Sequence, residues 1–209
     1  LDTIFSLPKD IYKNRRLVAK LAKNDFKTRY AGSYLGIVWA FIQPVITILV
    51  YWFVFSVGFR SGTGDLGVPF VLYLVAGIVP WFFFQDALIG GTNSLLEYNY
   101  LVKKVVFNIS VLPVVKIISA MFVHAFFVLF TIILYAAYGK LPDLYYLQII
   151  YYSGCVFLLV LGLSYATSAI VIFFRDLTQI INIVLQVGVW LTPIMWIVEN
   201  TPLQGHPII

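Results

Sequence analysis

The chain has 209 residues, of which 61% are hydrophobic and only 11% are charged, and its mean hydropathy is +0.93. This composition excludes a soluble globular domain and indicates that a lipid bilayer surrounds most of the chain. The net charge is +5, and eight of the fourteen lysines and arginines fall within the first thirty positions. Such a cluster marks the cytoplasmic end of a membrane protein and attracts anionic lipid head groups, so no nucleic-acid partner is expected.

Residues 1–30 are predicted to form an amphipathic helix on the cytoplasmic membrane surface, because apolar side chains recur there at helical spacing between basic ones. Residues 31–209 are predicted to form one transmembrane domain, since roughly 20 apolar residues suffice for each span. The five predicted spans cover about residues 34–59, 70–95, 111–138, 145–174 and 180–198. The expected fold is therefore an all-α polytopic membrane protein, with an N-terminal interface helix and five transmembrane helices in this chain.

Basic residues are distributed asymmetrically across this topology. The predicted cytoplasmic segments hold eleven of them, and the predicted outer loops hold two, Arg60 and Lys140. This bias agrees with a cytoplasmic N-terminus. An odd number of spans leaves the last residue outside, so we expect a further C-terminal span of a longer protein to bring the total to six.

A charged segment at residues 96–110, here called the elbow, separates the second and third predicted spans. It is too short and too polar to cross a bilayer. Its aromatic and aliphatic side chains around two lysines are typical of a helix that docks into a groove of a partner protein. A loop on the lipid surface is the alternative. The expected contact residues are Tyr98, Tyr100, Leu101, Lys103, Lys104 and Val105.

Three ionisable residues fall within the predicted spans, namely Asp86, Lys116 and His124. The helical rise places Asp86 and Lys116 at similar depth, so we expect an intramembrane ion pair that locks the second and third spans together. Alternatively, Lys116 snorkels to the interface and polar neighbours satisfy Asp86. His124 is expected to be a packed, hydrogen-bonded side chain rather than a proton relay.

Five separated motifs, which lie between Asn24 and Trp196, together resemble one protein family. They are YAGSYLGIVWAFIQP, GIVPWFFFQD, EYNYLVKKVVFNISVLPVVKI, FFRDLTQII and WLTPIMW. The chain resembles the membrane (permease) subunit of type 2 ATP-binding-cassette (ABC) exporters for polysaccharides. Within that family the elbow is most similar to the permeases for wall teichoic acid, and next to those for O-antigen.

The resemblance implies a homodimer of six-span subunits in the bacterial cytoplasmic membrane, each docked through its elbow to a separate nucleotide-binding subunit. ATP and Mg²⁺ would be bound by that partner. The sequence agrees, since it has no glycine-rich loop ending in GK[ST] to hold ATP phosphates. We therefore expect no catalytic residue, cofactor or metal site in this chain. The implied substrate is wall teichoic acid, or O-antigen as the alternative, linked to undecaprenyl diphosphate.

The resemblance also places the first and fifth spans along the substrate pathway. The candidate pathway residues are Trp39, Gln43, Tyr51 and Trp190. Aromatic faces bind the apolar faces of sugars without demanding one fixed pose, and an ordinary interfacial aromatic belt is the alternative. The candidate contacts to the lipid diphosphate are Arg15, Arg16, Lys27 and Arg29, which also satisfy the positive-inside rule without any substrate.

Two other functional classes remain as more distant alternatives. A membrane-embedded transferase acting on a polyprenyl-linked sugar needs a cluster of carboxylates or a histidine pair, whereas Asp86, Glu97 and Asp176 are scattered along the sequence. An ion-coupled secondary transporter would use Asp86 as its coupling residue.

Overall fold

The computed structural model describes residues 11–59, 68–98 and 109–196, and over these ranges the chain is helical without any strand. The α-helices are α1 (Arg15–Arg29), α2 (Trp39–Trp52), α3 (Phe70–Glu97), α4 (Leu112–Ala137), α5 (Leu147–Val171) and α6 (Leu177–Leu191). A 3-10 turn, Gly36–Val38, precedes α2, and a π-helical segment, Phe53–Gly58, extends it. The predicted all-α fold class is confirmed.

Four helical segments in the described part of the chain are long and apolar enough to cross a membrane. They are Gly36–Gly58, Phe70–Glu97, Ile109–Ala137 and Leu144–Val171. The chain is thus a multi-pass membrane protein. Where a fifth span was predicted at 180–198, the structure has the shorter α6, whose 15 residues rise only about 22 Å, less than a hydrocarbon core of about 30 Å. Residues from 197 onward lie outside the described ranges.

The N-terminal helix α1 is amphipathic, as predicted, and packs against protein through its apolar stripe. Val18 and Ala22 are buried against Val111, Val114 and Val115 at the start of α4. Charged side chains cover most of the remaining surface of α1. The helix therefore lies beside the end of the third span and is held there largely by apolar contacts.

Helix α3 is the centre of the structure, since α2, α4, α5 and α6 all pack on it. Its close approach to α5 depends on Gly91, where an added Cβ would overlap Oγ and Cβ of Ser164. Beside this contact, the hydroxyls of Thr92 and Thr167 lie 2.7 Å apart in a hydrogen bond. Small and hydroxyl side chains thus let two spans approach closely within the apolar core.

The chain folds back over α3 after α6. Thr192 is extended (ψ 138°), the conformation favoured before a proline, and this residue ends the helix. The Tyr73 hydroxyl on α3 donates to the Pro193 carbonyl at 2.6 Å, and Met195 is fully buried. This turn fixes the end of α6 against the start of the second span.

Candidate functional site

A groove runs between α2, α3 and α4 and encloses a cavity of about 400 Å³. Three of the predicted pathway residues, Trp39, Gln43 and Tyr51, line it from α2, and Gln85 and Asp86 line it from α3. We call this feature the polar groove. Because Trp39 and Tyr51 are twelve residues apart on one helix, the aromatic wall is about 18 Å long.

The fourth predicted pathway residue, Trp190, extends this wall from α6. Its ring centroid lies 6.3 Å from that of Tyr51 and 6.4 Å from that of Phe55. Trp190 is half exposed and does not line the cavity itself. The structure therefore places all four residues on one continuous side of the molecule, formed by α2 and α6.

The α1 end of the groove carries an ion pair between Arg29 and Asp86. One guanidinium nitrogen of Arg29 donates to both carboxylate oxygens of Asp86, at 2.8 and 2.7 Å. Burial alone would lower the pKa of the Arg29 guanidinium, but the charge of Asp86 raises that pKa above its ordinary value. Arg29 therefore stays cationic and neutralises the carboxylate that faces the groove.

Lys116 pairs with Asp25 and Glu97, not with Asp86. Its ammonium lies 2.6 Å from Asp25 Oδ1 and also donates to Glu97. The predicted Asp86–Lys116 pair is therefore wrong. The physical reason is that α1 docks at this depth and supplies both a carboxylate for Lys116 and a guanidinium for Asp86. The sequence shows that these two ions need partners, but not that α1 provides them.

Asp25, Arg29, Asp86, Glu97 and Lys116 form one connected set, here called the charge cluster. Asp25 links its two halves, since its Oδ2 also lies 3.5 Å from Arg29. Burial alone would raise the pKa of the Asp25 carboxyl, but the hydrogen bond and positive charge of Lys116 hold that pKa below its ordinary value. Asp25 is thus ionised at neutral pH.

Among the predicted elbow contacts, only Tyr98 lies in the described part of the chain. Its hydroxyl donates to Asp25 Oδ1 at 2.8 Å, and its ring faces the Lys116 ammonium at 5.1 Å. Tyr98 thus has partners within this chain, which the docking prediction did not anticipate. The other predicted contacts fall outside the described residues, namely Tyr100, Leu101, Lys103, Lys104 and Val105.

The four predicted diphosphate contacts divide into two groups. Arg15, Arg16 and Lys27 are exposed along α1, and Arg15 also stacks on the Tyr12 ring at 4.6 Å. Arg29 differs because its guanidinium is held by Asp86. The structure therefore leaves three of these cations accessible and gives the fourth a partner within the chain.

His124 lies between the polar groove and a second, mostly apolar cavity on the α5 side. It is buried, its ring stacks on Phe83 at 4.6 Å between centroids, and its Nε2 lies 3.1 Å from the Ser153 hydroxyl. The prediction of a packed, hydrogen-bonded histidine is confirmed. Within the described ranges, no group of three histidine, cysteine, aspartate or glutamate side chains converges as a metal site requires.

Asp25 is the important residue that the sequence prediction missed. The sequence does indicate that Asp25 is unusual, because it is the one acidic residue in α1 and continues the buried stripe of Val18 and Ala22 at helical spacing. A lone carboxylate on the buried face of a basic helix indicates that the element packed against this face carries a cation. Lys116 is that cation.

Comparison with known proteins gives a consistent result. Residues 16–205 match the family model described as ABC-2 type transporter. Over 190 residues the chain is 28% identical to the O-antigen export system permease protein RfbA of Myxococcus xanthus, which covers 91% of this chain and 72% of that protein. Two proteins of the same name from Klebsiella pneumoniae are 27% and 24% identical, each over 89% of this chain and 71% of the relative.

Proposed function

Because this chain belongs to the family of ABC-2 type transporters, we propose that it is the transmembrane subunit of an ATP-driven exporter for a lipid-linked polysaccharide. The observation that carries this proposal is the polar groove. Its aromatic wall offers flat apolar faces for sugar rings, while Gln43 and Gln85 offer hydrogen-bonding groups for hydroxyls. A surface that combines the two suits a polymer that must bind and then keep moving.

The energy source lies on a separate ABC nucleotide-binding subunit, which binds ATP and Mg²⁺. The chain is not an enzyme by itself, and the family resemblance assigns its docking to the elbow. On the side formed by α2 and α6 the protein exposes large apolar residues, including Leu49, Val184 and Trp190. We propose that a second copy of this chain faces that side and closes the passage.

The membrane is the bacterial cytoplasmic membrane, with the N-terminus and α1 on the cytoplasmic side. The support is the concentration of basic residues in the first thirty positions. In this orientation Arg15, Arg16 and Lys27 are exposed at the inner leaflet. They are suited to contact the diphosphate of an undecaprenyl-linked substrate as it approaches the groove.

The names of the relatives favour an O-antigen type of polysaccharide as the cargo. The preference for wall teichoic acid depends on elbow residues outside the described ranges, and it stays a prediction. The two polymers differ in charge, because teichoic acid carries phosphate in its backbone and many O-antigens are neutral. A transport assay that offers both distinguishes them.

The test is the ATPase activity of this protein, purified with its ABC partner subunit and reconstituted with each undecaprenyl-diphosphate-linked polymer. We expect stable co-purification and hydrolysis that rises when the O-antigen polymer is added. In an elbow variant carrying Tyr100→Ala and Leu101→Ala, the stimulated rate is expected to fall at least about thirtyfold, which corresponds to one hot spot of about 2 kcal/mol. Failure of the folded protein to bind any ABC subunit would overturn the proposal.

A second prediction concerns the wall of the groove. Trp39→Ala is expected to lower export about fivefold, which corresponds to one aromatic contact of about 1 kcal/mol. The measurement is polymer export into vesicles at equal ATPase activity. The matched control is Trp52→Ala on the same helix, because Trp52 is 38% exposed against 42% for Trp39 and does not line the groove. Equal losses in both variants would contradict the assigned role of the groove.

A further inference from the structure

The charge cluster joins three helices whose ends lead to different parts of the molecule. Lys116 lies near the start of α4, is 5% exposed, and holds Asp25 of α1 and Glu97 of α3 at the same time. Tyr98 adds a hydrogen bond to the same oxygen of Asp25. Each of the three helices is thus fixed to the other two at one point.

One end of this connection leads to the elbow. Glu97 is the last residue of α3 and lies with Tyr98 at the start of the elbow, and the other residues with predicted docking roles follow from Tyr100 onward. Any displacement of the elbow therefore acts first on the two residues that hold Lys116 and Asp25.

The other end leads to the first span and to the polar groove. α1 ends at Arg29, and seven residues further the helical part of the first span begins at Gly36. Arg29 also holds Asp86, which lines the groove. A movement of α1 is thus conveyed both to α2 through the chain and to the groove wall through an ion pair.

The cluster is better suited to transmit force than to stabilise the fold. A buried ion pair contributes little net stability compared with apolar residues of similar size. The neighbouring contact of Val18 and Ala22 with α4 shows that apolar packing serves the same α1–α4 interface. Charges differ from apolar surfaces because a buried ion that slips away from its partner is left uncompensated, so the contact resists sliding.

We propose that Lys116, Asp25 and Glu97 form a joint that transmits movement of the elbow to α1, and thereby to the first span and the groove. They are positioning residues for transport, since none of them needs to touch the polymer. This inference rests on the proposed function, in which an ABC subunit moves the elbow. It assigns to the charge cluster the step between ATP hydrolysis and opening of the passage.

The test compares polymer exported per ATP hydrolysed in the reconstituted complex with its ABC subunit. The decisive variant is Asp25→Asn together with Lys116→Met, which removes both buried charges of the pair at once and leaves only Glu97, whose side chain is 51% exposed, without its cation. We expect it to assemble and hydrolyse ATP within about twofold of wild type, while export per ATP falls at least about fivefold, the lower end of the range for coupling between two sites. The control is Lys140→Met, an exposed lysine after α4 that we expect to change neither quantity.

Glu97→Gln is the second variant. The Glu97 side chain is 51% exposed and Lys116 keeps Asp25 as a partner, so this change leaves no buried charge unpaired. We expect normal assembly and a smaller fall in export per ATP, since the amide keeps a hydrogen bond to Lys116 but loses the charge. Wild-type export per ATP in both variants would overturn the joint and reduce the cluster to a structural feature. If the double variant fails to assemble, the export per ATP of Glu97→Gln alone decides whether the joint exists.

The two proposals fail in different ways. If wild-type complex neither exports polymer nor responds to it, the proposed function fails, and the joint fails with it. If wild-type complex is coupled and the variants are equally coupled, only the joint is overturned.

Discussion

Replacing Gly91 by valine is expected to destabilise the membrane domain by about 3 kcal/mol or more, at or beyond the upper end of the usual range for overpacking a core. A Cβ at this position would lie 2.6 Å from Ser164 Cβ, an atom whose position the backbone fixes, so rotating the serine side chain does not relieve the clash. The backbones of α3 and α5 must therefore separate. The measurement is the fraction of monodisperse protein that survives a temperature series in detergent.

The matched control is Gly154→Val on α5, where an added Cβ meets nothing within 4 Å. We expect this variant to melt like wild type. Removing the obstructing side chain in Gly91→Ala with Ser164→Gly is expected to recover most of the stability that Gly91→Ala alone loses. A Gly91→Val protein with wild-type melting behaviour would show that the two helices do not approach as closely as described.

Lys116→Met as a single change is expected to cost about 3–5 kcal/mol, the usual effect of leaving one partner of a buried pair behind. Asp25 would keep its burial and lose its main cation. The double change with Asp25→Asn is expected to recover most of this loss, since no buried uncompensated carboxylate remains, and Glu97, which also loses Lys116, has a side chain that is 51% exposed to solvent. Thermal stability of the three proteins in one detergent measures the difference.

The defect of Lys116→Met is also expected to depend on pH. In wild type the charge of Lys116 holds the pKa of Asp25 below its ordinary value, and without it burial raises that pKa. A carboxyl whose folded pKa is raised favours folding below its unfolded pKa and loses that contribution as pH rises through the folded pKa. The variant should therefore gain stability relative to wild type as pH falls from 7 toward 4. An equal difference in stability between variant and wild type at every pH would show that the loss of Lys116 does not raise the pKa of Asp25.

The membrane-spanning architecture was predictable because its signal is local. Runs such as 111–138 and 145–174 are apolar for the whole thickness of a bilayer, and no tertiary information is needed to recognise them. The shorter α6 shows the limit of that signal. The apolar composition around Trp190 continues beyond Leu191, but Pro193 turns the chain back at Thr192 before a full span is completed.

The groove was partly predictable and the charge cluster was not. Trp39 and Gln43 are four residues apart, so one helical face carries both, and the family resemblance indicated which face it is. The partners of Asp86 and Lys116 depend on where α1 docks, which is a tertiary contact between segments far apart in the sequence. A pattern within one helix shows that an ion is buried, but it does not identify the helix that supplies the counter-ion.

The separation between Asp25 and Lys116 sets an order of events during synthesis. The two residues are 91 positions apart. At about 5–20 residues per second, Lys116 is therefore synthesised roughly 5 to 18 s after Asp25. During this interval the second span, which carries Asp86, is also made, so Arg29 gains its partner before Asp25 does. The interface helix is thus made before the helices that fix it, and its basic surface keeps it at the membrane until the third span supplies Lys116.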